Sequence, residues 1–174
     1  MDYFFMNECI FKLLIKNKKS FVLKFLESIG IFILDYDLLD INGVSDNTKV
    51  DIILISSNKL INIEFNREKK SLRRNQIYIE CISKLMPNFE IIQININLFE
   101  ENNNFIDNIK IFNYCSENEY IRFLTSKNYK LFNTRNKNIK DVIKFIDGCD
   151  YNLLIKMIKK EHKIKEKIDN LITY

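Results

Sequence analysis

The N-terminal part of the chain carries the apolar spacing of two amphipathic helices. The first is predicted to begin after Asn7, a residue type that caps helices well, and to run to Lys16 with its apolar side chains on one face. The second is predicted to be capped by Ser20 and to end at Gly30. Residues 31–42 are apolar but interrupted by aspartates, which favours a strand or an extended segment.

A β-hairpin is predicted next. Two runs rich in β-branched residues, Val50–Ser56 and Lys59–Asn66, are separated by Ser57-Asn58, a pair suited to a tight turn. One face of this hairpin is almost wholly apolar, and the other becomes polar away from the turn. The apolar face is therefore expected to lie against the core.

The register of the hairpin decides its chemistry. A two-residue turn places Asp51 directly opposite Glu64, with Cβ atoms about 5 Å apart on the same face. Asn66, two residues beyond Glu64, points to that face as well. A three-residue turn would instead place Asp51 opposite Ile63 or Phe65.

The rest of the chain alternates between helical and extended patterns. A helix is predicted over Lys70–Lys84 and closed by Pro87, and the run Ile92–Leu98 alternates apolar and polar residues, as in a strand with one buried face. The remaining predicted elements are a strand, Phe105–Tyr114, and two helices, Lys140–Ile146 and Tyr151–Ile172. We expect one α/β domain over residues 1–174, with a core at about 5–115 and a helical C-terminal extension at about 139–172.

Composition mainly excludes classes of protein. The 174 residues are 47% hydrophobic and 29% charged, as in a globular domain, and a net charge of +4 does not by itself indicate nucleic-acid binding. The four cysteines are far apart and there is one histidine, so a zinc site is not expected. With no basic leader and no run of about 18 uncharged apolar residues, we expect a cytoplasmic protein with no membrane partner.

Asp51 and Glu64 are candidate ligands for a metal ion. Two carboxylates this close repel each other, so apolar surroundings would raise the pKa of one of them unless a cation lies between them. Hard oxygen ligands suit Mg²⁺ or Mn²⁺, which can activate water for attack on phosphorus. The alternative is a pair of acids at strand ends that face solvent.

A basic segment follows the hairpin. It contains Lys69, Lys70, Arg73 and Arg74, and Tyr78 shares a helical face with Arg74. These side chains could meet the phosphate backbone of DNA, with an arginine clamping a phosphate and the tyrosine stacking or donating a hydrogen bond. A solvated basic face beside a half-buried tyrosine is the alternative.

The order of the short motifs resembles that of a nuclease family. The segments NECIFKLL, FVLKFLESI, KVDIILI and INIEFN are followed by R-x-x-x-Y (Arg74 and Tyr78) and by IIQININLF. This order is similar to that of the PD-(D/E)XK nuclease family transposases and the recombination-promoting nucleases. The resemblance implies a restriction-endonuclease-like fold, a mixed central sheet flanked by helices, and a DNA endonuclease that uses Mg²⁺ or Mn²⁺.

The resemblance also implies roles for acidic and amide residues. Asp51 and Glu64 would be catalytic metal ligands, and Glu8, at the acidic position of the opening motif, would be a further ligand. Asn66 would occupy the Lys/Gln position beside the attacking water, although it is one methylene shorter than Gln and cannot act as a base. Glu27 on the second helix is another candidate acid.

Two functions therefore stay open. The first is a Mg²⁺-dependent DNA endonuclease of a mobile-element or recombination-promoting family, which by analogy would pair as a homodimer to cut both strands. The second is a catalytically reduced protein on the nuclease fold that binds nucleic acid or a protein partner. A phage-encoded inhibitor of a host nuclease system, of the anti-CRISPR kind, is an example. The altered residue at position 66 and the short chain favour the second function.

Overall fold

The computed structural model of the protein describes residues 3–39, 52–68, 70–100, 109–156 and 159; of residues 70–76 and 78 it describes the backbone alone. The α-helices within these ranges are α1 (Glu8–Asn17), α2 (Lys19–Ser28), α3 (Lys70–Leu85), α4 (Glu119–Leu124) and α5 (Lys137–Asp147). The strands are β1 (Asp37–Leu39), β2 (Ile53–Ser56), β3 (Lys59–Asn66), β4 (Glu90–Asn97) and β5 (Ile109–Asn113). Residues 151–156 are helical as well, and 3₁₀ turns lie at Phe4–Met6 and Tyr129–Leu131.

The five strands form one mixed sheet in the order β1-β2-β3-β4-β5. β2 pairs antiparallel with both β1 and β3, whereas β4 pairs parallel with both β3 and β5. Parallel neighbours need a crossover connection, and α3 supplies it between β3 and β4. The expected α/β class, a mixed sheet flanked by helices, is confirmed.

One face of the sheet forms the main apolar core. Alternate residues of β2, β3 and β4 pack there against buried side chains of α1, α2, α4 and α5, because period-2 side chains of a strand share a face. The largest fully buried side chains of this core are aromatic: Phe5, Phe11, Phe21, Phe25 and Phe123. Burial of rings of this size is a major stabilising contribution in a domain of this length.

The opposite face is apolar only near the hairpin turn. There Ile82 of α3 packs with Ile53, Leu60 and Ile91, joined by the partly buried Ile79 and Met86 at its edge. Towards the carboxyl ends of β3 and β4 the same face becomes polar. The strand β4 is therefore buried on both faces, and the expectation of a single buried face is wrong, because α3 covers the side that the alternation suggested was exposed.

Local signals explain where the first two helices begin and end. The Asn7 side chain accepts a hydrogen bond from the Ile10 N–H at 3.2 Å, so the predicted cap of α1 is confirmed. Ser20 is not a cap, because α2 begins at Lys19; its hydroxyl donates to Asn138 Oδ1 at 3.0 Å instead. Gly30 follows α2 with φ of 82°, a left-handed conformation that suits glycine.

The structure confirms other predicted elements in part. Within 31–39 only Asp37–Leu39 is a strand. β5 covers residues 109–113 of the predicted strand 105–114, and residues 105–108 lie outside the described residues. The short α4, capped by Asn118, was not predicted, because six residues give too little periodicity to recognise. Of the predicted helix 151–172, residues 151–156 are helical, and most of the remainder lies outside the described residues. In the part of the chain that is described, no helix is long and apolar enough to cross a membrane.

Candidate functional site

The predicted register of the hairpin is confirmed. Ser57-Asn58 forms a two-residue turn, in which Ser57 has φ of 51°, and Ile53 lies opposite Asn62. The ladder continues beyond the strand ends, because the Ile63 N–H donates to the Ile52 carbonyl at 2.9 Å. One further step would pair Asp51 with Glu64. Asp51 lies outside the described residues, so that pairing stays a prediction.

Six polar side chains line the sheet on the face that α3 covers. They are paired in register across β3 and β4 and are called the polar row here: Asn62 with Gln93, Glu64 with Asn95, and Asn66 with Asn97. All six are buried; Glu64 and Asn97 have no exposed surface. The alternative of an acid facing solvent is therefore wrong for Glu64.

Hydrogen bonds join the polar row from strand to strand. The Asn62 Nδ2 donates to Gln93 Oε1 at 2.6 Å and to Glu64 Oε1 at 3.3 Å. The amide of Gln93 donates in turn to Asn95 Oδ1 at 2.7 Å, and Asn66 Nδ2 donates to Asn97 Oδ1 at 2.9 Å. A buried polar group is costly unless it is hydrogen-bonded, so these contacts are what allow polar side chains to lie there.

Two buried amide atoms of the polar row have no hydrogen-bond partner among the described residues. They are the amide oxygen of Asn62 and the amide nitrogen of Asn97. The first is an oxygen acceptor on the residue that bonds to the Glu64 carboxylate. Carboxylate and amide oxygens are the ligands that Mg²⁺, Mn²⁺ and Ca²⁺ prefer, so the donor set at this end of β3 fits a hard divalent cation.

The position of the polar row in the fold suits a ligand site. Glu64 and Asn66 lie in the last three residues of β3, and Asn95 and Asn97 in the last three of its parallel neighbour β4. In open α/β sheets, ligands bind outside the carboxyl ends of parallel strands. Arg67 and Glu68, the two residues that follow β3, lie at this end.

Glu8 is buried in the first turn of α1 and forms an ion pair with Lys12, with Oε1 and Nζ 2.5 Å apart. Its helix packs on the apolar side of β3 through Phe11 and Phe65. The helix that carries Glu8 therefore packs on the face of the sheet opposite to the one that carries Glu64. In the described ranges, no group of three or more His, Cys, Asp or Glu side chains is arranged to hold a metal ion.

Glu27 lies away from the polar row. It pairs with Lys24 and lines a surface groove of about 800 Å³ together with Asn58 and Lys59, at the turn end of the hairpin. Glu64 is at the other end of β3. The candidate additional acid is therefore not brought to the predicted metal ligands.

The predicted DNA-binding residues follow β3. Lys69 lies outside the described residues. α3 carries the other four, Lys70, Arg73, Arg74 and Tyr78, of which the structure describes the backbone alone. Their contact with phosphate stays a prediction.

The amides of β4 were missed as site residues by reasoning from the sequence. Gln93, Asn95 and Asn97 were interpreted as the exposed face of a strand. A strand, a helix and a second strand in succession indicate a parallel pair with the helix over one face. Matching the polar alternation of β3 with that of β4 across such a pair would have indicated the polar row.

Comparisons of the chain with family models, with curated proteins and with solved structures found no match in any of the three. The likeness to a nuclease family thus rests on the order of motifs in the chain itself.

Proposed function

We propose that this protein is a Mg²⁺- or Mn²⁺-dependent DNA endonuclease on a restriction-endonuclease-like fold. The observation that carries the proposal is the buried Glu64 carboxylate, set among amides at the carboxyl ends of two parallel strands. The hairpin register supports it, because one further step along that register would pair Asp51 with Glu64. A carboxylate with no exposed surface is uncommon in a protein interior, which singles out Glu64 among the acidic residues of the sheet.

Each group of candidate residues would have a separate role. Asp51 and Glu64 would hold the ion, with the Asn62 amide oxygen beside them. A bound Mg²⁺ would supply charge stabilisation for the phosphoryl oxygens and activation of the attacking water. Asn66 would orient that water by a hydrogen bond, since an amide cannot accept its proton. Lys69, Lys70, Arg73 and Arg74 would hold the DNA backbone.

A plasmid-nicking assay with MgCl₂ or MnCl₂ tests the proposal. We expect nicking by the wild type and a loss of at least about a hundredfold in Glu64→Gln and in Asp51→Asn. Glu64→Gln keeps an oxygen at Oε1 to accept from Asn62, so it changes the charge with little change in shape. Glu90→Gln is the matched control, because Glu90 is an exposed acid at the opposite end of β4. Nicking that survives both site substitutions would rule out this site.

A second function is favoured by the exposure of apolar side chains elsewhere. Phe32 and Leu34 are 70% and 98% exposed and line the groove that also contains Glu27. The polar row, in contrast, has almost no exposed surface. Exposed apolar residues beside a groove are typical of a protein-binding surface, as expected for an inhibitor of a host nuclease.

The second function predicts a different result. The wild type would not nick DNA in any metal, but would reduce the activity of a purified CRISPR nuclease. Leu34→Asp would abolish this inhibition, whereas Leu131→Asp would not, because Leu131 is also exposed but does not line this groove. Nicking by the wild type, with no effect on the nuclease, would exclude the second function.

A further inference from the structure

Each polar residue of β3 in the polar row faces an amide of β4. The register pairs Asn62 with Gln93 and Asn66 with Asn97, and a side-chain hydrogen bond joins each of these pairs. We propose that Gln93 and Asn97 are positioning residues, which fix the orientation of the groups that the proposed nuclease would use. This inference rests on the proposed function and assigns a role to a strand outside the predicted ligand set.

Gln93 acts on Glu64 through Asn62. The bond from Asn62 Nδ2 to Gln93 Oε1 is 2.6 Å, against 3.3 Å to Glu64 Oε1, so Gln93 is the closer acceptor and sets the orientation of the Asn62 amide. Gln93 is itself oriented by its bond to Asn95 Oδ1 at 2.7 Å. With its nitrogen held between Gln93 and Glu64, Asn62 turns its oxygen elsewhere. That oxygen is the buried acceptor without a partner among the described residues.

Gln93 would therefore hold the amide oxygen of Asn62 in the orientation of a cation ligand. If the Asn62 amide were reversed, its oxygen would face Gln93 Oε1 and the Glu64 carboxylate, and its NH₂ group would take the place of a cation ligand. Buried hydrogen-bond partners of ligating residues commonly change metal affinity by 10–100-fold when they are replaced. The low local dielectric strengthens these bonds and so holds the amide in one orientation.

Asn97 acts on Asn66 in the same way. Its oxygen accepts from Asn66 Nδ2 at 2.9 Å, so the nitrogen of Asn66 faces β4 and its oxygen points away from Asn97. At the position where the resemblance expects a lysine or glutamine, Asn66 would thus present an acceptor. It would orient the attacking water by accepting a hydrogen bond from it, whereas a lysine ammonium has no acceptor.

The two residues predict different losses. Gln93→Leu removes the acceptor for Asn62 and should weaken Mn²⁺ binding by 10–100-fold, measured by calorimetric titration of the folded protein with MnCl₂. Gln93→Glu keeps that acceptor at Oε1 but loses the donor to Asn95, so Mn²⁺ affinity should fall less than in Gln93→Leu. Asn97→Leu should leave Mn²⁺ affinity within about threefold but lower kcat by 10–100-fold at saturating Mn²⁺ with KM for plasmid unchanged.

Ile94→Ala is the matched control for stability. Ile94 lies between Gln93 and Asn95 on β4, is fully buried and faces the apolar core, so its truncation destabilises the same strand without touching the polar row. At a temperature well below unfolding, this variant should keep Mn²⁺ affinity and kcat. If Ile94→Ala lowers Mn²⁺ affinity as much as Gln93→Leu does, the two amides are structural and the inference is wrong.

The outcomes separate the inference from the proposed function. Wild type that nicks DNA, with Gln93→Leu and Asn97→Leu unchanged in affinity and kcat, overturns the inference alone. Wild type that binds Mn²⁺ without nicking overturns the endonuclease and the role of Asn97, while the titrations still decide the role of Gln93. Wild type that neither binds Mn²⁺ nor nicks DNA overturns both.

Discussion

The rings of Phe11 and Phe65 meet edge to face, with centroids 4.9 Å apart and planes at 78°. This contact fastens α1 to β3 on the side opposite the polar row, one residue beyond Glu64. Phe11 is fully buried in the main core. The residue that makes this apolar contact and the candidate metal ligand are therefore neighbours in β3, with side chains on opposite faces of the sheet.

Phe11→Ala should lower the free energy of unfolding by about 3–5 kcal/mol, because it removes a buried ring and leaves a cavity. Denaturation by urea, monitored by circular dichroism, measures the change. Phe32→Ala is the control; Phe32 is 70% exposed, and its truncation should change stability by no more than about 0.5 kcal/mol. Equal losses in the two variants would contradict the assignment of the core.

Gly30→Ala should destabilise the protein by about 1–2 kcal/mol. An added Cβ would meet only Lys110 Nζ at 3.8 Å, so the cost comes from the left-handed backbone and not from a clash. Gly148→Ala tests this interpretation, because Gly148 ends α5 with φ of −83°, which alanine adopts readily. We expect its free energy of unfolding to stay within a few tenths of a kcal/mol of the wild type or to rise. A greater loss at Gly148 than at Gly30 would argue against the described helix ends.

Tyr36 should make the protein sensitive to alkaline pH. Burial, and secondarily the charge of Asp35, raises the pKa of Tyr36 well above its ordinary value of 10.0. At a pH between 10.0 and the raised pKa of Tyr36, the folded protein keeps a proton that the unfolded chain releases. The contribution of Tyr36 to the free energy of unfolding is therefore full below pH 10 and declines as the pH rises above it. The alkaline decline of the unfolding free energy should be shallower in Tyr36→Phe.

Tyr36→Phe should also lower the free energy of unfolding at neutral pH. The Tyr36 hydroxyl donates to the Ile15 carbonyl at 2.8 Å, so its removal should lower stability by about 0.5–1.5 kcal/mol at pH 7. Tyr151→Phe, at a tyrosine that is 70% exposed, should leave both the neutral stability and its alkaline slope unchanged. Parallel pH profiles for wild type and Tyr36→Phe would contradict the expected linkage.

Binding of Mn²⁺ to the proposed site should stabilise the fold. At a free concentration about a hundred times Kd, the ion would add about 2.7 kcal/mol and raise Tm by roughly 5–10 °C. Differential scanning fluorimetry in MnCl₂ measures the shift. We expect it to disappear in Glu64→Gln and to persist in Glu90→Gln. A shift of the same size in both variants would place the ion elsewhere.

Contacts of the basic segment with phosphates should contribute to the salt dependence of DNA binding. If Arg73 and Arg74 each neutralise one phosphate, then either alanine substitution should reduce the slope of log K against log [NaCl] by about 0.9. Fluorescence anisotropy with a short duplex in CaCl₂ measures the slope. Lys130→Ala is the control, because Lys130 is an exposed cation that lies 3.6 Å from Asp147 on another part of the surface. An unchanged slope in both arginine variants would remove this segment from the interface.

Local spacing in the sequence determined most of the secondary structure around the site. Asn7 accepts from the first turn of α1, Ser57-Asn58 makes the tight turn, and Ile53 faces Asn62. These features depend on neighbours close in the chain, where hydrogen-bonding reach and the two-residue period of a strand leave few alternatives. The polarity of one face of β3 was determined in the same way.

Tertiary structure alone decided which polar residues are buried and which of them meet. The alternation of Gln93, Asn95 and Asn97 is the same for a strand that faces water and for one covered by a helix; only the packing of α3 distinguishes them. Contacts between Asn62 and Gln93, or Asn66 and Asn97, join residues 31 positions apart. Such pairs depend on the register of parallel strands, which is set when both strands and the crossover helix pack together. The sequence thus determined a polar strand, and the fold made it half of a buried, hydrogen-bonded row.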